Sequence, residues 1–156
     1  MRMGCETLLK RPLHILGIVI KPIHKEQIMS TQTVITKYLN SGHSDLSILA
    51  EDVIFTVMAT GQESRGREAV ASLLNHFYHV AFDANADTRT LIFGEKSALW
   101  EGIFYGKHVG EFAGIPATNK DVHVPINVVY DVENEQVKNA RIYFEMPVLF
   151  QQLGVS

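Results

Sequence analysis

KSALWEGIFYGKHVGEFAGIPATNKDVHVPINVVYDVENEQVKNARIYF, residues 96–144, carries the fold. Its apolar residues alternate with polar or small ones over Lys96–Lys107, Val122–Asp131 and Gln136–Phe144, the period-2 pattern of strands with one buried face. Glu133-Asn134-Glu135 reverses the chain between the last two runs. A further strand near Asp87–Phe93 leads into the first run through a tight turn at Gly94-Glu95. Four strands joined by short turns predict an antiparallel meander.

Upstream, the pattern turns helical. Ser30 or Thr31 caps a helix through about Tyr38–Leu39, with Val34, Ile35, Tyr38 and Leu39 as its apolar stripe, ended by Asn40-Ser-Gly-His43. DLSILAED, from Asp45, reads as a short helical piece, and Val53–Thr60 as a half-buried strand. TGQESRGREAV reads as a polar connection into a helix over Glu68–Ala81, whose stripe is Val70, Leu73, Leu74, Phe77, Tyr78 and Ala81. Asp83-Ala-Asn85 is expected to break that helix, and Met146–Gly154 to close the chain as a short helix. The prediction is an α+β domain over residues 30–156, a curved antiparallel sheet with helices closing a small-molecule pocket.

Composition sets the outer limits. The chain has 156 residues, 46% of them hydrophobic and 20% charged, which is an ordinary globular balance. Fourteen basic against seventeen acidic side chains, with no basic stripe, argue against nucleic acid as partner. Cys5 is the only cysteine, so no internal disulfide forms and a cysteine zinc site is excluded, which fits a reducing, cytoplasmic setting. Residues 1–29 form an extension of uncertain structure. Its apolar run Leu13–Ile20 is too short to span a membrane, lies between Pro12 and Pro22, and is followed by no small-residue cleavage site. An extra edge strand, a docking arm or a cover for a dimer surface are the structured options for it; a poorly ordered extension ahead of a domain start at Met29 is the other.

The loop GKHVGEFAGIPATNKDVHV is rich in glycine yet flanked by strongly patterned strands, as loops that carry function often are. His108 shares the parity of Trp100 and Phe104; from the residues alone it is either a proton shuttle or a satisfied structural histidine. Glu145 follows the last strand on the parity of Arg141 and Tyr143, either an acid/base group in a cavity or a solvent-facing carboxylate. Trp100, Phe104, Phe112 and Tyr143 could wall a pocket or simply fill the core. His76 and His79, three apart on a helix, have no partner motif for a metal.

HVGEFAGIPATNK and ARIYFEMPVLFQQLG resemble the two signatures of the SnoaL-like polyketide cyclase (ester cyclase) family, within the nuclear-transport-factor-2-like superfamily. His108, Gly110, Phe112, Gly114, Ile115, Pro116, Ala117, Thr118 and Lys120 match the first pattern. Arg141, Tyr143, Gln152, Leu153 and Gly154 match the second. The resemblance implies a cone-shaped α+β barrel, commonly dimeric through the exposed sheet face. It also implies acid/base chemistry on a small, largely apolar carbonyl compound, with no metal or organic cofactor. On it, Glu145 stands where the family has its catalytic aspartate and His108 where it has a pocket histidine, with Thr118 or Tyr143 orienting the substrate. Two departures stand out: Asn119 replaces a common glycine in a turn, which asparagine tolerates, and Glu145 is one methylene longer than aspartate. A non-catalytic small-molecule binder and a dimeric scaffold with a filled core are the alternatives. No membrane partner is expected.

Overall fold

The computed structural model describes residues 28–155 and, ahead of them, the strands β1 (His14–Ile15) and β2 (Ile18–Val19). These two pair antiparallel as a sheet of their own. The other expectations for residues 1–27 lie outside the described residues.

Helix α1 (Thr31–Asn40) starts where Ser30 accepts the Thr33 N–H on its side chain, satisfying one of the helix's free donors. Val34, Ile35 and Tyr38 are fully buried. Leu46–Ile48 is a 3-10 turn, and the chain is already extended at Leu49, so only the front of DLSILAED is helical. β3 (Leu49–Val57) and β4 (Gln62–Arg65) then form a hairpin. The segment expected as a plain polar connection therefore contains an edge strand, whose polar residues suit an edge that must not recruit another chain.

Helix α2 (Arg67–Asn75) continues as a π-helical turn over His76–Val80. The long strands follow: β5 (Phe82–Phe93), β6 (Ser97–His108), β7 (Asp121–Glu133) and β8 (Gln136–Phe144), then helix α3 (Met146–Leu153). Asp83-Ala-Asn85 belongs to β5 and does not break the chain. Phe82 and Ala84 are buried with Asp83 exposed between them, and pairing of Asp83 with Lys107 and Ala84 with Gly106 overrides the loop-like composition.

The main sheet has the order β4-β3-β8-β7-β6-β5. The meander over β5–β8 is antiparallel as expected, but β3 joins β8 in parallel, so the sheet is mixed. Register shifts between Thr88 and Thr90 in β5 and between Leu49 and Ile54 in β3 mark bulges, which bend strands and let a sheet curl around its helices. On β7 the inward residues Val122, Val124, Ile126, Val128, Tyr130 and Val132 are all buried. Helix α1 lies against β6, β7 and β8, α2 against β3 and β4, and α3 against β7.

Candidate functional site

A cavity of about 770 Å³ opens between the concave sheet and α2 with its π turn. Its floor is Phe55, Trp100, Ile126, Val128, Ile142 and Phe144; Leu73, Leu74 and Phe77 cover it from the helical side. This explains why Leu73, Leu74, Phe77 and Tyr78 of that stripe are only half-buried, while Val70 and Ala81 at its ends are fully buried. The wall depends on one glycine. A Cβ on Gly102 would stand 2.4 Å from the Trp100 ring and 2.5 Å from the Asp87 carbonyl oxygen, so only glycine lets the indole lie across the strand. Trp100 Nε1–H donates to Thr88 Oγ1 at 2.8 Å, which satisfies its single polar atom.

The other polar groups of the wall are neutral amides and hydroxyls, with the imidazoles His43, His76 and His79. Among the described residues no Asp, Glu, Lys or Arg lines the cavity. His43, Tyr78 and Tyr130 come from three separate elements: the turn after α1, the π turn and β7. Gly42 and His43 both take left-handed backbone angles, with φ of 61° and 65°. The His43 ring then packs edge-on to Tyr38 at 5.1 Å and lies 6.0 Å from Tyr78, while Tyr38 meets Tyr130 edge-on at 6.1 Å. Burial pushes the Tyr78 phenol up to about 12 and raises Tyr38 and Tyr130 as well, so all three stay protonated donors. Burial lowers the His43 pKa, which keeps that ring neutral.

Of the residues expected at the site, Trp100 and Phe112 line the cavity. Phe104 lies one layer behind, fully buried, with Phe77 4.6 Å and Phe144 5.5 Å away. His108 faces inward as its parity required, but it is 0% exposed and sits under the loop that follows β6. Thr118 donates its backbone N–H to His108 Nδ1 at 3.2 Å, and the Thr118 hydroxyl lies 3.0 Å from the same nitrogen. Nδ1 is therefore an acceptor, and the proton resides on Nε2, which is buried without a partner among the described residues. Burial holds this imidazole below its usual pKa.

Tyr143 is on the opposite face of the sheet, 42% exposed, beside an Arg141 that forks onto Asp131 at 2.5 and 3.2 Å. Glu145 is exposed too. It precedes α3, and its backbone N–H reaches the Pro125 carbonyl oxygen at 3.3 Å. The structure therefore does not gather Glu145 and His108 around one cavity: the first sits at the surface, the second in a closed core. Asn119 takes φ 56°, as the turn required.

His43, Tyr78 and Tyr130 were not among the residues singled out. Tyr78 and Tyr130 have the spacing of core positions, and His43 reads as part of a helix stop. Only the way the turn folds back onto Tyr38 brings it to the wall.

A cavity-bearing cone of this kind, with α1 at the front and α3 after the last strand, is a small-molecule-pocket architecture. The family model for SnoaL-like polyketide cyclase matches residues 32–153, and the chain belongs to that family. A candidate SnoaL-like polyketide cyclase from Jannaschia sp. CCS1 superposes with a TM-score of 0.72 at 13% identity, over 85% of this chain and 97% of that one. TsrD from Streptomyces laurentii gives 0.67 at 19% identity, covering 80% and 95%. A protein of ketosteroid isomerase-like fold from Catenulispora acidiphila, solved with trimethylamine, gives 0.65 at 13%, covering 82% and 96%. These likenesses are of fold. Among curated proteins none matches this chain.

Proposed function

We propose that this chain binds a small, neutral, largely apolar molecule in the cavity between its sheet and α2. One observation carries the reading: a space of about 770 Å³ walled by aromatic and aliphatic side chains, with no carboxylate, ammonium or guanidinium group on it among the described residues. Ligand sites are typically concave, mostly apolar and furnished with a few convergent polar groups, and this volume lies within their usual range. Trp100 and Phe112 serve as walls for the ligand. A scaffold with a filled core does not accord with this space.

Acid/base turnover of a carbonyl compound is the family's own activity. Here the cavity offers phenols and the neutral His43 imidazole for it. Glu145 and His108, the pair the resemblance suggested, lie outside it. Proton transfer needs hydrogen-bond reach to the substrate, so binding is the better supported function.

Trp100 is the only tryptophan, which makes its emission a direct reporter. Titration with 2-methylnaphthalene is expected to change that emission saturably, while the anion 2-naphthoate binds at least about tenfold more weakly for want of a countercharge. Glu145→Gln is expected to bind the neutral probe as the natural sequence does. No saturable response to the neutral probe, or preference for the anion, would overturn the reading.

A further inference from the structure

We propose that the His43–Tyr78–Tyr130 corner of the cavity receives an oxygen atom of the bound molecule, so that the ligand is an apolar compound with a neutral carbonyl or hydroxyl group at one end. The inference rests on the cavity-binding reading above and adds which wall residues meet the ligand's oxygen, and so its orientation. Three polar-tipped rings from three distant parts of the chain converge here, and behind them Tyr38 Oη is fully buried with no hydrogen-bond partner among the described residues. An unpaired buried hydroxyl is costly, and its immediate ring neighbours are the two cavity-lining groups His43 and Tyr130. By contrast Trp100, elsewhere on the wall, already spends its N–H on Thr88.

The backbone supports the same corner. Tyr78 sits in the one π-helical turn of the described residues, where the helix departs from its regular ladder, as such turns often do at functional sites. His43 sits at a left-handed position, uncommon outside glycine though histidine takes it more readily than most residues. Protonated phenols donate and a neutral imidazole both donates and accepts, so the corner suits a carbonyl oxygen or a hydroxyl equally. A carboxylate finds no countercharge there.

The test is calorimetric titration with 2-naphthol and its methyl isostere 2-methylnaphthalene. The natural protein is expected to bind 2-naphthol about three- to tenfold more tightly, the return on one or two neutral hydrogen bonds. Tyr130→Phe is expected to shrink that preference while holding the affinity for 2-methylnaphthalene. Tyr78→Phe, at a half-buried ring, gives the same reading should the first variant fail to fold. Equal affinities in the natural protein, or a preference that the phenylalanine variants keep, would overturn the polar corner and leave cavity binding standing. Absence of binding by either probe would overturn cavity binding, and the corner with it.

Discussion

Lys120 donates from Nζ to the backbone carbonyl oxygen of Leu153 at 3.0 Å, across 33 positions of sequence. The bond closes the last turn of α3 onto the end of the glycine-rich loop. Gly154 ends α3 at a φ of 78°, a left-handed angle that glycine takes without the strain a Cβ brings. Close by, Gln152 exchanges two hydrogen bonds with the backbone of His123, at 2.7 and 2.8 Å, and Thr118 holds His108. Apart from Phe112, which lines the cavity, these residues of the family resemblance thus bond to one another's neighbourhood. They form a clasp that fixes the loop and α3 against the sheet, which is why the resemblance speaks for the fold more than for a reaction.

The clasp predicts that Lys120→Met loses about 1 kcal/mol of stability, the worth of an ordinary hydrogen bond, because the charged donor is exposed to water. Binding of 2-methylnaphthalene is expected to be unchanged. Urea unfolding measures the first and Trp100 emission the second. An unaltered unfolding midpoint would show the bond to be without weight.

The two lowered histidines predict how stability depends on pH. His43 and His108 are neutral in the fold, with pKa values depressed by burial, whereas in the unfolded chain an imidazole titrates near about 6.5. Below that pH the unfolded state binds more protons than the folded one. Stability is therefore full above about pH 6.5 and falls as pH drops, by up to about 1.4 kcal/mol per pH unit for each group. Melting curves at pH 7.5 and 5.5 should show the loss, and His108→Asn should show a shallower one. A midpoint independent of pH across that window would contradict the assignment of neutral rings.

Gly102→Ala tests the wall. The added methyl meets both the indole and the Asp87 carbonyl oxygen, and the backbone on one side cannot yield as a side chain can. The expected cost is about 1–3 kcal/mol, with a shift of the tryptophan emission as the ring is displaced. Unchanged stability and emission would mean the indole does not lie across the strand.

The outer sheet face is where self-association is expected. Ile92, Leu99 and Val129 stand in register across β5, β6 and β7, and Ile92 is 55% exposed. An apolar row of this kind is expected to pair two copies of the chain, as the resemblance implied. Sedimentation should give a dimer for the natural sequence and a monomer for Ile92→Glu. The same mass for both proteins would argue against this face.

The elements were legible because most are decided locally. The stripe of α1 and the alternation of β6, β7 and β8 state which face is buried, and Ser30 states where a helix begins. The parallel seating of β3 beside β8 was not legible, since Phe55 and Ala140 meet across 85 positions and alternation is the same for either strand direction. Nor was the emptiness under α2. A helix that faces a cavity and one that faces a packed core have the same apolar period, so Leu73, Phe77 and Tyr78 read as core. The parity of Glu145 with Tyr143 and Arg141 did point outward, and the structure places all three at or near the outer surface. The polar corner was invisible for another reason: it depends on a left-handed turn at Gly42-His43 and on a π turn, neither of which has a sequence period.

The most direct measurement is a crystal structure of the protein grown with 2-naphthol. Density for the probe between Trp100 and Tyr130, with its hydroxyl toward His43 and Tyr78, is the predicted result. Density beside Glu145 or His108, or a cavity closed by the protein's own side chains, would contradict the account.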